Sequence, residues 1–166
     1  MSLVEMLIAT GLGTVLMTAV ISLMIFGARS FVAVGNYVDM DVKSRNALDR
    51  ISQEIRQAAG LQSYSTNQLI FTNDDLTTLT YTYDSAGKKL TRSQGGATQV
   101  LLTQCDSLNW YMYQRNMTNG TDEPIPTSDK NQCKLIKLTW VCSRTILGKR
   151  ANTESVQSAE IVIRKK

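Results

Sequence analysis

One carboxylate, Glu5, is the only ionisable side chain in the first 28 residues of this chain. From Met6 to Ala28 every side chain is apolar, small or hydroxyl-bearing. A carboxylate that enters lipid or a dry protein core is costly unless a cation meets it. The sequence therefore predicts that this segment has an apolar environment and that Glu5 has a cationic partner there.

Residue types that carry catalysis are scarce in the rest of the chain. There is no histidine, which removes the commonest general base and the commonest metal ligand. No G-x-S-x-G, P-loop, HExxH or C-x-x-C pattern occurs either. The sequence favours a protein that is not an enzyme, and it predicts no cofactor and no metal site.

The three cysteines, Cys105, Cys133 and Cys142, leave one over if a disulfide forms. Cys133 and Cys142 would stand at opposite ends of one predicted strand, on the order of 30 Å apart, whereas a bridge needs Cα atoms within about 7 Å. An antiparallel pairing of residues 107–114 with 135–143 would bring Cys105 near Cys142. That pair is the preferred disulfide, and three buried thiols are the alternative.

The element that positions Glu5 is a long helix. Residues 1–28 exceed the roughly 20 apolar residues that cross a bilayer as a helix. No basic segment precedes the apolar run and no A-x-A-like site ends it, so it is not typical of a secretory signal. The sequence predicts either a retained membrane helix or a helix buried in an assembly.

Residues 29–60 continue the helix with an amphipathic pattern. Apolar residues recur at steps of three and four on one face, and opposite charges recur four residues apart on the others. The apolar stripe is Leu48, Ile51, Ile55 and Ala58, and the charged pairs are Asp39–Lys43, Asp41–Arg45 and Arg50–Glu54. With Gly60 as the expected stop, we expect one nearly continuous helix over residues 1–59, about 90 Å long.

Residues 61–166 form the predicted head, in which the apolar period changes to two, as in strands. Strands are predicted at 68–72, 75–83, 88–92, 99–102, 108–113, 135–141 and 155–164, with turns at 84–87 and 94–96. The predicted fold class is α+β: a long N-terminal helix with an antiparallel β-sheet head packed on its C-terminal half.

A long polar loop, residues 114–132, interrupts the predicted strands of the head. It contains two N-x-[ST] triplets, at Asn116 and Asn119. These triplets are either glycosylation acceptors or chance occurrences in a loop rich in asparagine and threonine.

The N-terminus MSLVEMLI resembles the prepilin-type (class III) N-terminus of the type IV pilin and type II secretion pseudopilin family. Residues 47–58 (ALDRISQEIRQA) and 155–164 (SVQSAEIVIR) are similar to the large minor-pilin and pseudopilin subgroup labelled W or J. The resemblance implies a pilin-like fold and a structural role without catalysis.

The resemblance also implies how such a chain is processed and assembled. A prepilin peptidase would remove a leader before Met1 and methylate the new amine. The subunit would wait in the inner membrane as a single-pass precursor, and an assembly platform would add it to a surface filament or a periplasmic pseudopilus. Glu5 would then pair with the Met1 amine of a neighbouring subunit. The filament core would be packed by Leu3, Val4, Leu7, Ile8, Leu12, Leu16 and Phe26.

One position departs from the common pattern of the family. Many pilins carry a proline near position 22 and lose helix just before it on assembly, but this chain has Ser22. Gly11 and Gly13 are each about 1 kcal/mol poorer than alanine in a helix. We expect any unwound segment of an assembled filament to start near these two glycines.

Several functions stay open. Within the family, the chain could form the bulk of a homopolymer with other pilins, or be a minor tip subunit that initiates assembly or binds DNA or another ligand. Outside that role, it could be a membrane-anchored monomer that binds a ligand through its sheet and the 114–132 loop. Nucleic acid is a possible but unfavoured partner, which would bind through Arg164, Lys165 and Lys166. A net charge of +4 is only a weak argument for such binding.

Overall fold

A computed structural model of the chain describes residues 2–116, 123–144 and 154–163. Met1, Asn119 and the basic C-terminal residues 164–166, which carry predictions above, lie outside these ranges. The first element is one uninterrupted helix, α1, Leu3–Gln57. It ends two residues earlier than expected because Ala58 takes an extended backbone, with φ −64° and ψ 142°.

In the described residues nine strands follow the helix, all paired antiparallel. Their bounds are β1 Gly60–Tyr64, β2 Gln68–Thr72, β3 Thr78–Asp84, β4 Lys89–Gln94, β5 Ala97–Thr103, β6 Cys105–Gln114, β7 Ile125–Pro126, β8 Leu135–Ser143 and β9 Glu154–Val162. The α+β layout predicted from the sequence is confirmed. Gly60 does not stop the helix but opens the first strand.

The strands form two sheets where the sequence predicted one. The first has the order β1-β2-β3-β4-β5 and the second the order β7-β6-β8-β9. The chain changes sheet at Gln104, whose φ of 60° is in the left-handed region. β5, before Gln104, pairs with β4, and β6, after it, pairs with β8. The chain therefore passes from the first sheet to the second at this one residue.

Helix and both sheets share one hydrophobic core. Ile51 and Ile55 of the helix meet Tyr81 of the first sheet and Trp110 and Leu138 of the second around a small interior void. The predicted stripe is confirmed at Ile51, Ile55 and Ala58 and is only half-buried at Leu48. It continues towards the N-terminus through Ala47, Ser44 and Met40. Burial of helix side chains begins at Met40.

Polar contacts fix the helix against the head. All three predicted charge pairs form, with N–O distances of 3.0, 2.7 and 3.1 Å. Their acids also bond outwards: Asp39 pairs with Arg144 at 2.8 Å, and Asp41 accepts from Gln157 of β9 at 3.1 Å. These pairs therefore belong partly to the helix–head interface rather than to a solvated face alone.

Candidate assembly and membrane surface

The helix begins with a reciprocal cap between Ser2 and Glu5. The Ser2 backbone N–H donates to the Glu5 carboxylate at 2.8 Å, and the Glu5 N–H donates to the Ser2 hydroxyl at 3.4 Å. This capping box satisfies two backbone donors that a helix start leaves unpaired. Sequence reasoning missed it, although the S-x-x-E spacing of Ser2 and Glu5 is its signature.

Glu5 consequently has a defined place at the tip of the helix. Its carboxylate lies at the positive end of the helix dipole and bonds a backbone amide. The Ser2 amide is a neutral donor, so it does not supply the cation that a buried carboxylate needs. The cationic partner predicted from the sequence, the Met1 amine of another subunit, remains a prediction, because Met1 lies outside the described residues.

The N-terminal half of the helix is exposed on all sides. The seven predicted core-packing residues, Leu3, Val4, Leu7, Ile8, Leu12, Leu16 and Phe26, expose between 58% and 80% of their surface. The helix contains a segment long and apolar enough to cross a membrane, and none of that segment is buried in the protein. Within the described residues, this is the one helix whose length and composition would let it span a bilayer.

The apolar surface continues past the length that a bilayer covers. Phe31, Val34, Val38 and Val42 are all at least half exposed. At 100° per residue they lie on the side of the helix opposite Met40, which faces the head. From Leu3 to Val42 the exposed apolar face is about 60 Å long, whereas the hydrocarbon core of a bilayer is about 30 Å thick.

Four hydroxyl side chains follow one line along the exposed helix. Thr10, Thr14, Thr18 and Ser22 each donate to a backbone carbonyl three or four residues earlier, at 2.8 to 3.0 Å. Bonded in this way, the hydroxyls need no outside partner in an apolar environment. The small side chains also let a neighbouring backbone approach closely.

The helix is continuous through Gly11 and Gly13, the predicted start of unwinding. A Cβ atom added at either glycine would meet nothing within 4 Å. The glycines are therefore not required by crowding within the chain. The predicted unwinding concerns the assembled filament, and it stays a prediction.

Cys105 and Cys142 are direct partners in the pairing of β6 with β8. Both are buried, as is Cys133, and no disulfide joins any of these three described cysteines. The contact between the Cys105 and Cys142 thiols, together with burial, raises the pKa of Cys105. The predicted proximity is therefore present, and the bridge itself stays a prediction.

Ser44 of the helix lies beside this cysteine pair. Its hydroxyl is fully buried and has no hydrogen bond of standard geometry with the described residues. The Cys105 thiol has the largest effect in lowering the pKa of Cys142, and the nearby Ser44 hydroxyl adds to it. The helix therefore contributes a polar group to the surroundings of the two thiols.

The polar loop is partly ordered by a short strand that the sequence did not predict. Ile125 and Pro126 pair with Gln114 and Tyr113 of β6. Asn116 is half-buried at the end of the described part of the loop. Glycosylation at Asn116 and at Asn119 stays a prediction.

Comparison with protein-family models gives no match, and no curated protein matches the chain significantly. Among the described residues, no group of three or more cysteine, aspartate or glutamate side chains could hold a metal ion.

Proposed function

We propose that this chain is a structural subunit of an extracellular type IV pilus-like filament or a type II secretion pseudopilus, and that it polymerises through its N-terminal helix. The observation that carries the proposal is the length of the exposed apolar face, from Leu3 to Val42. A bilayer covers about half of it. Packing against the helices of other copies would cover the rest.

The surface area of the chain supports the same proposal. It exposes 11016 Å², whereas a compact monomer of 18.4 kDa exposes about 8,000 Å². The excess of roughly 3,000 Å² lies in the range that obligate interfaces bury. Large contiguous apolar surfaces of this kind mark sites of association or membrane contact.

Within this proposal the helix has two successive environments. Before assembly, the uncharged stretch between Glu5 and Arg29 lies in the inner membrane and the head lies outside it. After assembly, the same stretch packs against neighbouring helices, and Glu5 pairs with the amine of another copy. The chain then needs no catalytic group and no cofactor.

The test is the substitution Glu5→Ala in cells that make the filament. We expect the variant to remain in the membrane fraction while filaments disappear from sheared surface material, as seen by electron microscopy. Asp49→Ala is the matched control, because Asp49 is an exposed acid at the other end of the same helix. Its filaments should be normal. Filaments of normal number and length from Glu5→Ala would overturn the proposal.

A further inference from the structure

An open cavity lies on the head where β6, β7 and the end of β1 meet. Its volume is about 240 Å³, which is below the range of drug-sized pockets. Three tyrosines, one methionine, one proline and two residues with aliphatic hydroxyls line it: Tyr64, Tyr111, Met112, Tyr113, Pro126, Thr127 and Ser128. A cavity of this size admits a single small ring.

The walls of the cavity are held in place by hydrogen bonds within the fold. The Tyr64 hydroxyl donates to the Trp110 carbonyl at 2.9 Å. Pro126 is paired with Tyr113 across β6 and β7. The Thr127 N–H donates to the Met112 carbonyl at 3.0 Å. The Tyr64 ring and the backbone around the cavity are therefore in place before any ligand arrives, which lowers the cost of binding.

The described residues of the lining are aromatic, hydroxyl-bearing or apolar, and none of them carries a carboxylate, ammonium or guanidinium group. The hydroxyls of Tyr111, Tyr113 and Ser128 make no hydrogen bond with any part of the chain that the structure describes. Lys137, opposite Tyr111, is paired with Glu160 at 3.1 Å. The Lys130 ammonium, two residues after Ser128, donates to the Gln62 carbonyl of β1 at 2.9 Å. A charged ligand would find no counter-ion in the cavity.

We propose that this cavity binds a neutral sugar ring. One face of a pyranose carries C–H groups that pack against an aromatic ring, and its hydroxyls are matched by the unused hydroxyls around the cavity. Tyr111, which is 51% exposed, is the ring on which the sugar stacks. Tyr113 and Ser128 bond the hydroxyls of the sugar. Thr127, whose hydroxyl accepts from the Asp129 N–H at 3.2 Å, can still donate to the sugar.

The cavity lies far from the exposed apolar part of the helix through which assembly is proposed. Tyr113 pairs with Leu135 at the start of β8, and β8 ends at Ser143, next to Arg144. Arg144 contacts Asp39 and Asn36 of the helix. The nine-residue strand β8 therefore separates the cavity from the end of the head at Arg144, a distance of roughly 30 Å. That end of the head is the one nearest the exposed apolar part of the helix. Sugar binding does not depend on polymerisation.

The test uses the full chain in phosphocholine micelles, because detergents with sugar headgroups would compete for the site. The probes are the methyl glycosides of D-glucose, D-galactose, D-mannose and N-acetyl-D-glucosamine, titrated by saturation-transfer NMR. At least one glycoside should bind saturably. Tyr111→Ala should weaken that binding about tenfold, as expected for the loss of one stacking ring.

Two further variants make the result specific. Tyr111→Phe keeps the ring and should bind within a few-fold of the unchanged chain. Tyr37→Ala removes an exposed tyrosine of the helix and should bind normally. The proposal is overturned if no glycoside binds saturably, if Tyr111→Ala binds as well as Tyr37→Ala, or if a ten-residue polyproline peptide occupies the cavity and the glycosides do not.

Discussion

Glu54 is the helix residue with the most polar contacts to the head. Its carboxylate accepts from the Arg92 side chain at 2.8 and 2.9 Å and from Arg50 at 3.1 Å, and it also accepts the Tyr81 hydroxyl. Burial alone would raise the pKa of Glu54, but the hydrogen bonds from Arg92, Tyr81 and Arg50 outweigh it and lower that pKa. The cluster joins helix and first sheet beside the apolar core.

Glu54→Ala should destabilise the head by about 3 kcal/mol, because it leaves the largely buried Arg92 without its carboxylate. The measurement is urea unfolding of the full chain in micelles, followed by tryptophan fluorescence. Glu160→Ala is the control, since Glu160 pairs with Lys137 at the surface and its loss should cost less than about 1 kcal/mol. Equal losses in the two variants would contradict this role for Glu54.

Cys105 and Cys142 should form a disulfide when the chain folds under oxidising conditions. The Ser143 N–H donates to the Gln104 carbonyl at 3.1 Å, so Cys105 and Cys142 are a non-hydrogen-bonded pair, in which Cα atoms are typically about 4.5 Å apart. That spacing permits a bridge.

Peptide mapping by mass spectrometry after oxidative refolding is the measurement. It should find the Cys105–Cys142 bridge and one reduced thiol, at Cys133. The bridge should add about 3 to 4 kcal/mol to the free energy of unfolding, and Cys133→Ser is the control that should leave it intact. A chain that refolds fully with all three thiols reduced would contradict the prediction.

At the scale of elements, the sequence predicted the helix well because its signals are long and periodic. The uncharged run, the three charge pairs and the apolar stripe at Ile51 and Ile55 all indicate a helix, which is about fifteen turns long. Most strands were also predicted, because residues such as Leu79, Tyr81 and Tyr83 alternate. The Gly95–Gly96 turn has the positive φ values that its sequence indicates.

The elements that the sequence missed have weak local patterns or an unusual backbone. In β1 apolar and polar residues alternate only weakly, and its backbone is held by pairing with β2. Leu76, predicted within a strand, has a φ of 63° in a turn where its N–H donates to the Asn73 carbonyl, a conformation that leucine disfavours. Gln104, with its positive φ, divides the sheets, and no local pattern marks it.

Val38→Asp should block assembly without preventing membrane insertion. Val38 lies in the exposed apolar face opposite the head, beyond the stretch that ends at Arg29. In a membrane-anchored monomer this side chain faces water and a charge is harmless, whereas in a packed filament the charge is buried at a cost of several kcal/mol.

Asn46→Asp is the control for Val38→Asp, because it adds the same charge at an exposed polar position of the same helix. The measurements are membrane fractionation and electron microscopy of sheared filaments. Normal filaments from Val38→Asp would favour the anchored monomer over the polymer. If both variants lose their filaments, the added charge alone explains the loss, and burial of Val38 in the filament is not supported.

At the scale of the whole molecule, the head packs on the C-terminal half of the long helix and leaves the N-terminal half exposed. On the face of the helix that packs against the head, the first buried side chain is Met40 and Ile55 is fully buried. The residues before Arg29 are largely exposed. The covered end is fixed by two groups of acids and arginines, one around Asp39 and one around Glu54. The stability of the head on the helix should therefore depend on the ionisation of these acids.

The pKa values of both acids are lowered in the folded chain. For Asp39 the main causes are hydrogen bonds from Lys43 and Arg144. For Glu54 burial acts in the opposite direction, and the hydrogen bonds already described outweigh it. A lowered folded-state pKa contributes stability that is complete above the ordinary values, 3.8 and 4.5, and is lost as pH falls through the folded values. Lysine and arginine side chains stay charged throughout this acid range.

The thermal midpoint of the head should therefore be level from pH 7 to about pH 5 and fall steeply below about pH 4. Circular dichroism of the full chain in zwitterionic micelles measures it, because such micelles do not titrate in this range. Glu54→Gln should start from a lower midpoint and decline less between about pH 5 and pH 3, since the amide of this variant cannot take up a proton. Glu160→Gln should decline as the unchanged chain does. If Glu54→Gln declines as steeply as Glu160→Gln, the acid sensitivity comes from other carboxylates and the Glu54 contacts do not control the docking of the head.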